Sequence, residues 1–327
     1  MQIDFVIPWV DGSDPAWQQE RSHFCDNHRT DESRYRDWGT LRYWFRAVET
    51  YAPWVNQIFF ITWGHLPDWL NQKHPKLKII KHNEYIPEEY LPTFNSNTIE
   101  LNLHRIESLS EHFVYFNDDT YLNAPVSPED FFQKGLPRNC AVLEPFMPTD
   151  PADSYSPILL NDMAFLNKHF NKYDVLAKAP TKWYHPMYGM YLLKNIYFTP
   201  GKLFSGLRNL HIPTSMQKSS FGKVWDLEPD LLHQTCLNHF RTERDVNQNI
   251  ISYFDICSGN FSPRSAVFGK CYGIGQSNKQ LFSDLKSGHH KLICINDHSY
   301  IMDFEQEKTA ILKAFQEKLP RKSSYEL

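Results

Sequence analysis

The sequence predicts an α/β chain: a Rossmann-like, mostly parallel sheet with helices on both faces and a largely helical insertion. Three observations predict it. Strand-length apolar runs alternate with stretches of helical spacing, the pattern of a parallel sheet wrapped by crossover helices. The runs at residues 3–10 and 57–62 are almost continuously apolar, as strands buried on both faces are. Finally, predicted strands give way to polar clusters at their carboxyl ends, where open α/β sheets bind ligands.

Each element has its own signal. Residues 3–10 run into Asp11-Gly12-Ser13-Asp14-Pro15, which reads as a turn with two carboxylates followed by a helix. After a polar linker, residues 40–51 space Leu41, Trp44, Phe45 and Val48 as a helix, with Arg42 and Arg46 at i and i+4; Ala52-Pro53 stops it. A strand at 57–62, a short helix at 67–71 and a strand at 77–81 follow. A proline-bearing loop at 91–96, a helix at 98–106 and a strand at 113–116 then lead to Asn117-Asp118-Asp119. Residues 131–225 lose regular periodicity and read as a mostly helical insertion, a lid or acceptor surface, between two parts of a catalytic core at 1–130 and 226–320. Within the second part, 228–240 and 245–257 read as helices, 291–295 as a strand before Asn296-Asp297, and 304–319 as a last helix. Residues 321–327 read as a frayed tail.

Composition narrows the function. The 327 residues are 41% hydrophobic and 15% aromatic, enough for a packed core, which excludes disorder for the bulk. A net charge of −4 carries no overall basic footprint of a nucleic-acid binder or a polybasic membrane patch. No apolar run is long enough to span a bilayer, and the N-terminus lacks a basic leader, so the reading is cytoplasmic. Six scattered cysteines without a C-x-x-C pair read as reduced, buried small hydrophobes.

If the sheet is parallel throughout, Asp11-Gly12-Ser13-Asp14, Asn117-Asp118-Asp119 and Asn296-Asp297 meet at one rim. Adjacent carboxylates after a strand suit Mg²⁺ or Mn²⁺ held against a diphosphate, although a lone Asp-Asp is more often a turn with a cap. A second cluster, His211-Ile212-Pro213 and Arg241 to Asp245, offers a base and a phosphate-binding guanidinium; Arg241 and Asp245 also fit a plain helix ion pair.

Those residues carry a resemblance. The run from Ile3 through Trp9-Val10-Asp11-Gly12-Ser13-Asp14-Pro15 resembles the first conserved region of the Stealth family of hexose-1-phosphate transferases. Arg36-Asp37-Trp38-Gly39-Thr40-Leu41-Arg42-Tyr43, Leu91-Pro92-Thr93-Phe94-Asn95-Ser96 and Phe116-Asn117-Asp118-Asp119 resemble its second. His211-Ile212-Pro213 with Phe240-Arg241 and Asp245 is similar to the third, and Cys294-Ile295-Asn296-Asp297 to the fourth. Trp38-Gly39-Thr40 resembles the bacterial subgroup.

The resemblance implies transfer of a hexose 1-phosphate, N-acetylhexosamine 1-phosphate above all, from a UDP-sugar donor to a glycan acceptor with release of UMP. It implies His211, Arg241 and Asp119 as catalytic residues and Asp118 with Asp119 as the site of Mg²⁺ or Mn²⁺. It further implies Asp11, Gly12, Ser13, Asp14, Arg42, Asn95, Ser96, Asp245, Asn296 and Asp297 as substrate-binding, and peripheral association with capsule assembly machinery. Two competitors share some of these features. A metal-dependent glycosyltransferase would use the same carboxylates but release UDP. A non-catalytic glycan-binding protein would use Trp and Tyr as stacking platforms and would need neither His211 nor Arg241.

Overall fold

A computed structural model of the chain describes residues 1–25, 36–148, 155–275, 278–297, 301 and 303–327. The first four strands are β1 (Ile3–Trp9), β2 (Ile58–Thr62), β3 (Leu77–Lys81) and β4 (His112–Tyr115). Three short ones follow: β5 (Thr120–Leu122), β6 (Phe132–Gln133) and β7 (Leu136–Asn139). The last are β8 (Thr214–Gln217), β9 (Ser262–Pro263), β10 (Gly269–Gly273) and β11 (Leu292–Asn296). The main sheet has the order β3-β2-β1-β4-β8, parallel except for the antiparallel edge strand β8. A second sheet, β10-β11-β5, stands beside it, and β6-β7-β9 forms a third.

The near-continuous apolar runs have the cause that the sequence suggested. Alternate side chains of a strand point to opposite faces, and both faces are covered. Val6, Phe59 and Phe113 enter one core with the helices Ser156–His169, Lys218–Leu227, Pro229–Cys236 and Asn249–Ser258. Phe5, Ile7, Phe60 and Val114 enter the other with the helices Leu41–Tyr51, Lys279–Ser287 and Phe304–Lys318. Burying one such side chain contributes about 1.5–3 kcal/mol, so these inner strands anchor the fold. The single polar interruption, Asp4, is fully buried and accepts from Asn56 Nδ2 at 2.7 Å, Gln57 N at 3.1 Å and Ser110 N at 2.8 Å. It closes the amino end of the sheet by tying β1 to the loops before β2 and β4.

Several expectations need correction. β11 does not extend the parallel sheet: after Asp119 the chain turns out of that sheet, and β5 pairs antiparallel with β11. The stretch assigned to an insertion supplies β8 to the main sheet, because Thr-Ser-Met-Gln is too short and too polar to announce a strand. Residues 67–71 form turns rather than a helix. The helix placed at 98–106 covers only Ser96–Leu101, and a 3₁₀ turn follows at Leu103–Arg105. The helices placed at 228–240 and 245–257 are Pro229–Cys236 and Asn249–Ser258.

The tail is docked, not frayed. Arg46, on the helix Leu41–Tyr51, forms a two-pronged pair with Glu326, Nε to Oε1 at 2.7 Å and Nη2 to Oε2 at 2.8 Å, and its Nη1 donates to Leu319 O at 2.9 Å. Tyr325 packs on Phe45 with ring centroids 5.2 Å apart, and Leu70 bridges Glu326. A buried ion pair broken on one side strands the other charge, at a cost of about 3–5 kcal/mol. Arg46→Met should therefore lower the melting temperature by about 5 °C or more. An unchanged melting temperature in a thermal scan would show that the tail is not docked in solution.

Candidate active site

Asp119 sits on the seam between the two larger sheets. β4 ends at Asn117-Asp118-Asp119, the chain turns with Thr120 N donating to Asn117 O at 3.0 Å, and β5 begins in the second sheet. From β11, Ile295 N donates to Asp119 O at 2.8 Å. The Cys294 thiol donates to Asp119 Oδ2 at 3.2 Å, and His211 Nε2 lies 3.4 Å from the same oxygen. Asn117 Nδ2 is also 3.4 Å from His211 Nε2. His211 leads into β8 with φ 46°, a left-handed conformation uncommon outside glycine, held by a hydrogen bond from its own N to Asn209 Oδ1 at 2.8 Å.

The electrostatics of these groups are coupled. Loss of water weakens the His211 imidazolium, but the charge and hydrogen bond of Asp119 outweigh that and bring the ring up to about 9. Enclosure by protein and the adjacent Asp119 carboxylate push Asp118 up to about 7, while Arg241 pulls it down. Asp118 is nonetheless exposed to solvent, and the His211 side chain is 34% exposed. Both groups are packed about by protein and still reached by water, and they form the floor of the site.

Arg241 reaches this floor from a separate loop. Its Nη2 donates to Ser96 Oγ, and its charge acts both on Asp118 and on the buried Glu100, whose Oε1 accepts from Tyr115 Oη at 2.9 Å. The loop is organised by Asp245, which is fully buried. Asp245 accepts from Asn238 Nδ2 at 2.7 Å, Asn95 Nδ2 at 2.9 Å, and Thr242 N and Oγ1 at 3.0 and 2.7 Å. Asp245 and Asn95, expected as substrate contacts, lie inside this network. They are saturated and closed to solvent, and their work is to hold the turn that carries Arg241.

The remaining sequence candidates fall in three places. Asp11 Oδ1 accepts from Ser13 N and Oγ at 2.9 and 2.6 Å, Gly12 O accepts from Gln18 Nε2 at 2.8 Å, and Asp14 caps the helix Pro15–Phe24 through Trp17 N at 2.8 Å. Both Asp11 and Asp14 therefore serve the turn itself. Asp297 accepts from Trp38 Nε1 at 3.2 Å, beside Asn296 at the end of β11. Arg42 lies over Trp69, 5.4 Å from the ring centroid, where it packs beside the docked tail. Sequence reasoning passed over Asn117, Glu100 and Cys294 as site residues. Asn117 and Cys294 stand next to residues that it singled out, whereas Glu100 shows no sign of its burial in the sequence.

The donor set can hold a divalent metal ion. Asp119 Oδ1 is buried and has no hydrogen-bond partner among the described residues, and Asp118 is open beside it. Asp119, His211 and Cys294 place one ligand atom each within 4.8 Å of one another. Without a metal, burial holds the Cys294 thiol well above its ordinary range, as a donor to Asp119. Carboxylate oxygens, an imidazole and a thiol at this spacing are ligand types that divalent metals take.

Comparison with known proteins gives this arrangement its context. Residues 1–28 match Stealth protein conserved region 1, and residues 34–139 match conserved region 2. A capsular polysaccharide phosphotransferase WcwK of Streptococcus pneumoniae is 44% identical over 330 residues, covering 99% of this chain and 98% of the relative. The chain belongs to the Stealth family. The exopolysaccharide phosphotransferase cps2G of Lactiplantibacillus plantarum is 40% identical, with 99% and 96% of the two chains covered. Receptor polysaccharide phosphotransferase WefC of Streptococcus oralis is 36% identical, with 100% and 99% covered. As a Stealth protein with such relatives, the chain is an enzyme, a phosphotransferase. A solved galactosyltransferase LgtC, bound to donor and acceptor sugar analogues, overlaps loosely, with a TM-score of 0.41 at 8% identity over 98% of each chain.

The His211–Asp119 pair makes a prediction of its own. In metal-free enzyme, NMR should show the His211 ring, assigned by its loss in His211→Gln, titrating near 9. Removing the carboxylate charge in Asp119→Asn should bring the ring down, because the burial penalty is then opposed only by the smaller effects of Cys271 and Glu100. Identical titrations in the two proteins would mean that the pair does not form.

Proposed function

We propose that the enzyme transfers a hexose 1-phosphate, most specifically N-acetylhexosamine 1-phosphate, from a UDP-sugar to a hydroxyl of a glycan. The acceptor oxygen bonds to the β-phosphorus, the bond from that phosphorus to the bridging oxygen breaks, and UMP leaves. The product is a phosphodiester. The observation that carries this reading is the convergence at one site of two carboxylates, an imidazole and the guanidinium of Arg241. Reactions at phosphorus need positioned charge more than covalent help from the protein, and this set supplies it.

Each residue has a role in the proposal. His211 takes the proton of the attacking hydroxyl, and Asp119 orients the ring. Arg241, seated on Ser96, binds the phosphoryl oxygens. Asp118 and Asp119 would hold Mg²⁺ or Mn²⁺, which when bound supplies positive charge to the diphosphate and offsets that of Asp119. The turn at Asp11, Gly12, Ser13 and Asp14 flanks the donor, and Asn296 with Asp297 closes the opposite rim. We place the enzyme in the cytoplasm, where UDP-sugars are available.

The leaving group decides between this reading and sugar transfer. UMP should accumulate in step with phosphodiester, seen by phosphorus NMR, and the anomeric configuration of the donor should be retained because its C–O bond is never broken. Stoichiometric UDP would overturn the proposal. Chelation with EDTA should abolish turnover, and full activity after exhaustive chelation would remove the metal.

Residue substitutions separate the roles further. A positioned base contributes about 10²–10⁴ in rate, so His211→Ala should lower kcat by that order with donor binding nearly unchanged. Since the ring acts only when neutral, wild-type activity should rise with pH, and that acid limb should vanish in the variant. Arg241→Ala should weaken donor binding as well as kcat, in contrast to His211→Ala.

A further inference from the structure

The helix Leu192–Phe198 has two apolar faces and only one core. Inward, Asn195 is fully buried and bonds Ala141 O, Trp183 O and Leu143 N, while Leu192 and Phe198 pack against the first core. Outward, Leu193, Ile196 and Tyr197 are 58%, 56% and 76% exposed, and Met190, one turn earlier, is 78% exposed. Spacings of three and four residues place them in one stripe. Leu203, 64% exposed, continues the surface past the helix end, where Tyr173 Oη donates to Pro200 O at 2.6 Å and Lys172 Nζ donates to Phe198 O at 2.6 Å. Large apolar side chains clustered in water mark a surface with a partner.

The charge around the stripe identifies that partner. The chain as a whole is anionic, yet residues 175–225 contain no Asp or Glu and carry Lys178, Lys182, Lys194, Lys202, Arg208, Lys218 and Lys223, with Lys194 on the helix itself and Lys202 beside Leu203. The whole-chain balance conceals this cationic stretch. Lys178 and Lys202 are exposed, and the nearby acid Glu144 is occupied by Lys194 and Arg208. Asp174 is the acidic exception at the edge. Apolar side chains projecting from a short helix within a cationic rim match an anionic bilayer, whose headgroups attract the rim while its acyl boundary takes the stripe. A second copy of this chain fits less well, because a two-fold contact would set Lys194 and Lys202 against their own counterparts.

We propose that the face formed by Met190, Leu193, Ile196, Tyr197 and Leu203 docks the enzyme in the interfacial layer of an anionic lipid bilayer. The full chain should co-sediment with phosphatidylglycerol vesicles and much less with phosphatidylcholine vesicles, and salt should weaken binding. The triple variant Leu193→Ser, Ile196→Ser, Tyr197→Ser should partition about tenfold less into phosphatidylglycerol vesicles. It should keep its melting temperature and its turnover of soluble acceptor, since these side chains face solvent. Lys178→Glu with Lys202→Glu keeps the apolar stripe and should also lower partition. The proposal fails if the wild-type chain does not bind phosphatidylglycerol vesicles, or if the triple variant binds them equally well. It also fails if light scattering shows a wild-type dimer that the triple variant dissolves, because the face then belongs to a second copy.

Discussion

The position of Asp119 between two sheets is the constraint on which the site depends. Its backbone carbonyl fixes β11, its side chain holds both His211 and Cys294, and its chain direction carries β4 out of one sheet and into the other. A parallel sheet alone would deliver carboxylates to its rim, but it would not supply the imidazole. The imidazole arrives because β8 returns antiparallel beside β4, so the residues just before β8 lie next to those just after β4. The antiparallel edge strand is thus the topological device that completes the site.

The second organising element is polar and buried. Asp245 gathers amides and a hydroxyl from Asn95, Asn97, Asn238 and Thr242, joining the loop after the cis Leu91-Pro92 bond to the loop that bears Arg241. A buried carboxylate is costly unless it is hydrogen-bonded throughout, and here the neighbouring donors meet that cost. The result is a guanidinium held at a fixed place on Ser96 by residues that never meet the substrate. Such separation between the groups that react and those that aim them is what precise phosphoryl chemistry requires.

Much of this was legible in the sequence. β1, β2 and β4 announced themselves by near-continuous apolar runs, and Asp118, Asp119, His211 and Arg241 by the resemblance to the Stealth family, since spacing alone left each open. The failures have physical causes. β8 and β5 are too short for periodicity to register, so the strand that His211 leads into and the sheet that receives β11 were both invisible. Asp245 looked like a surface ion-pair partner of Arg241 because one-dimensional spacing cannot show that three amide donors converge on it. Arg42 and Arg46 share a helix face, yet one packs on Trp69 and the other pairs with Glu326, a difference decided by residues far along the chain.

That last pairing bears on how the protein is made. Arg46 and Glu326 stand 280 positions apart in the chain. At synthesis rates of about 5–20 residues per second, roughly 14–56 seconds separate the emergence of the two side chains. Throughout that interval the helix Leu41–Tyr51 carries a guanidinium whose final partner has not been translated, and the apolar surface around Phe45 stays uncovered by Tyr325. The nascent chain can lay down its parallel strands early, but it cannot seal that side of the sheet until Tyr325 and Glu326 clear the ribosome. The docked tail is therefore a late contact, and the apolar surface around Phe45 is covered on that side only once it engages.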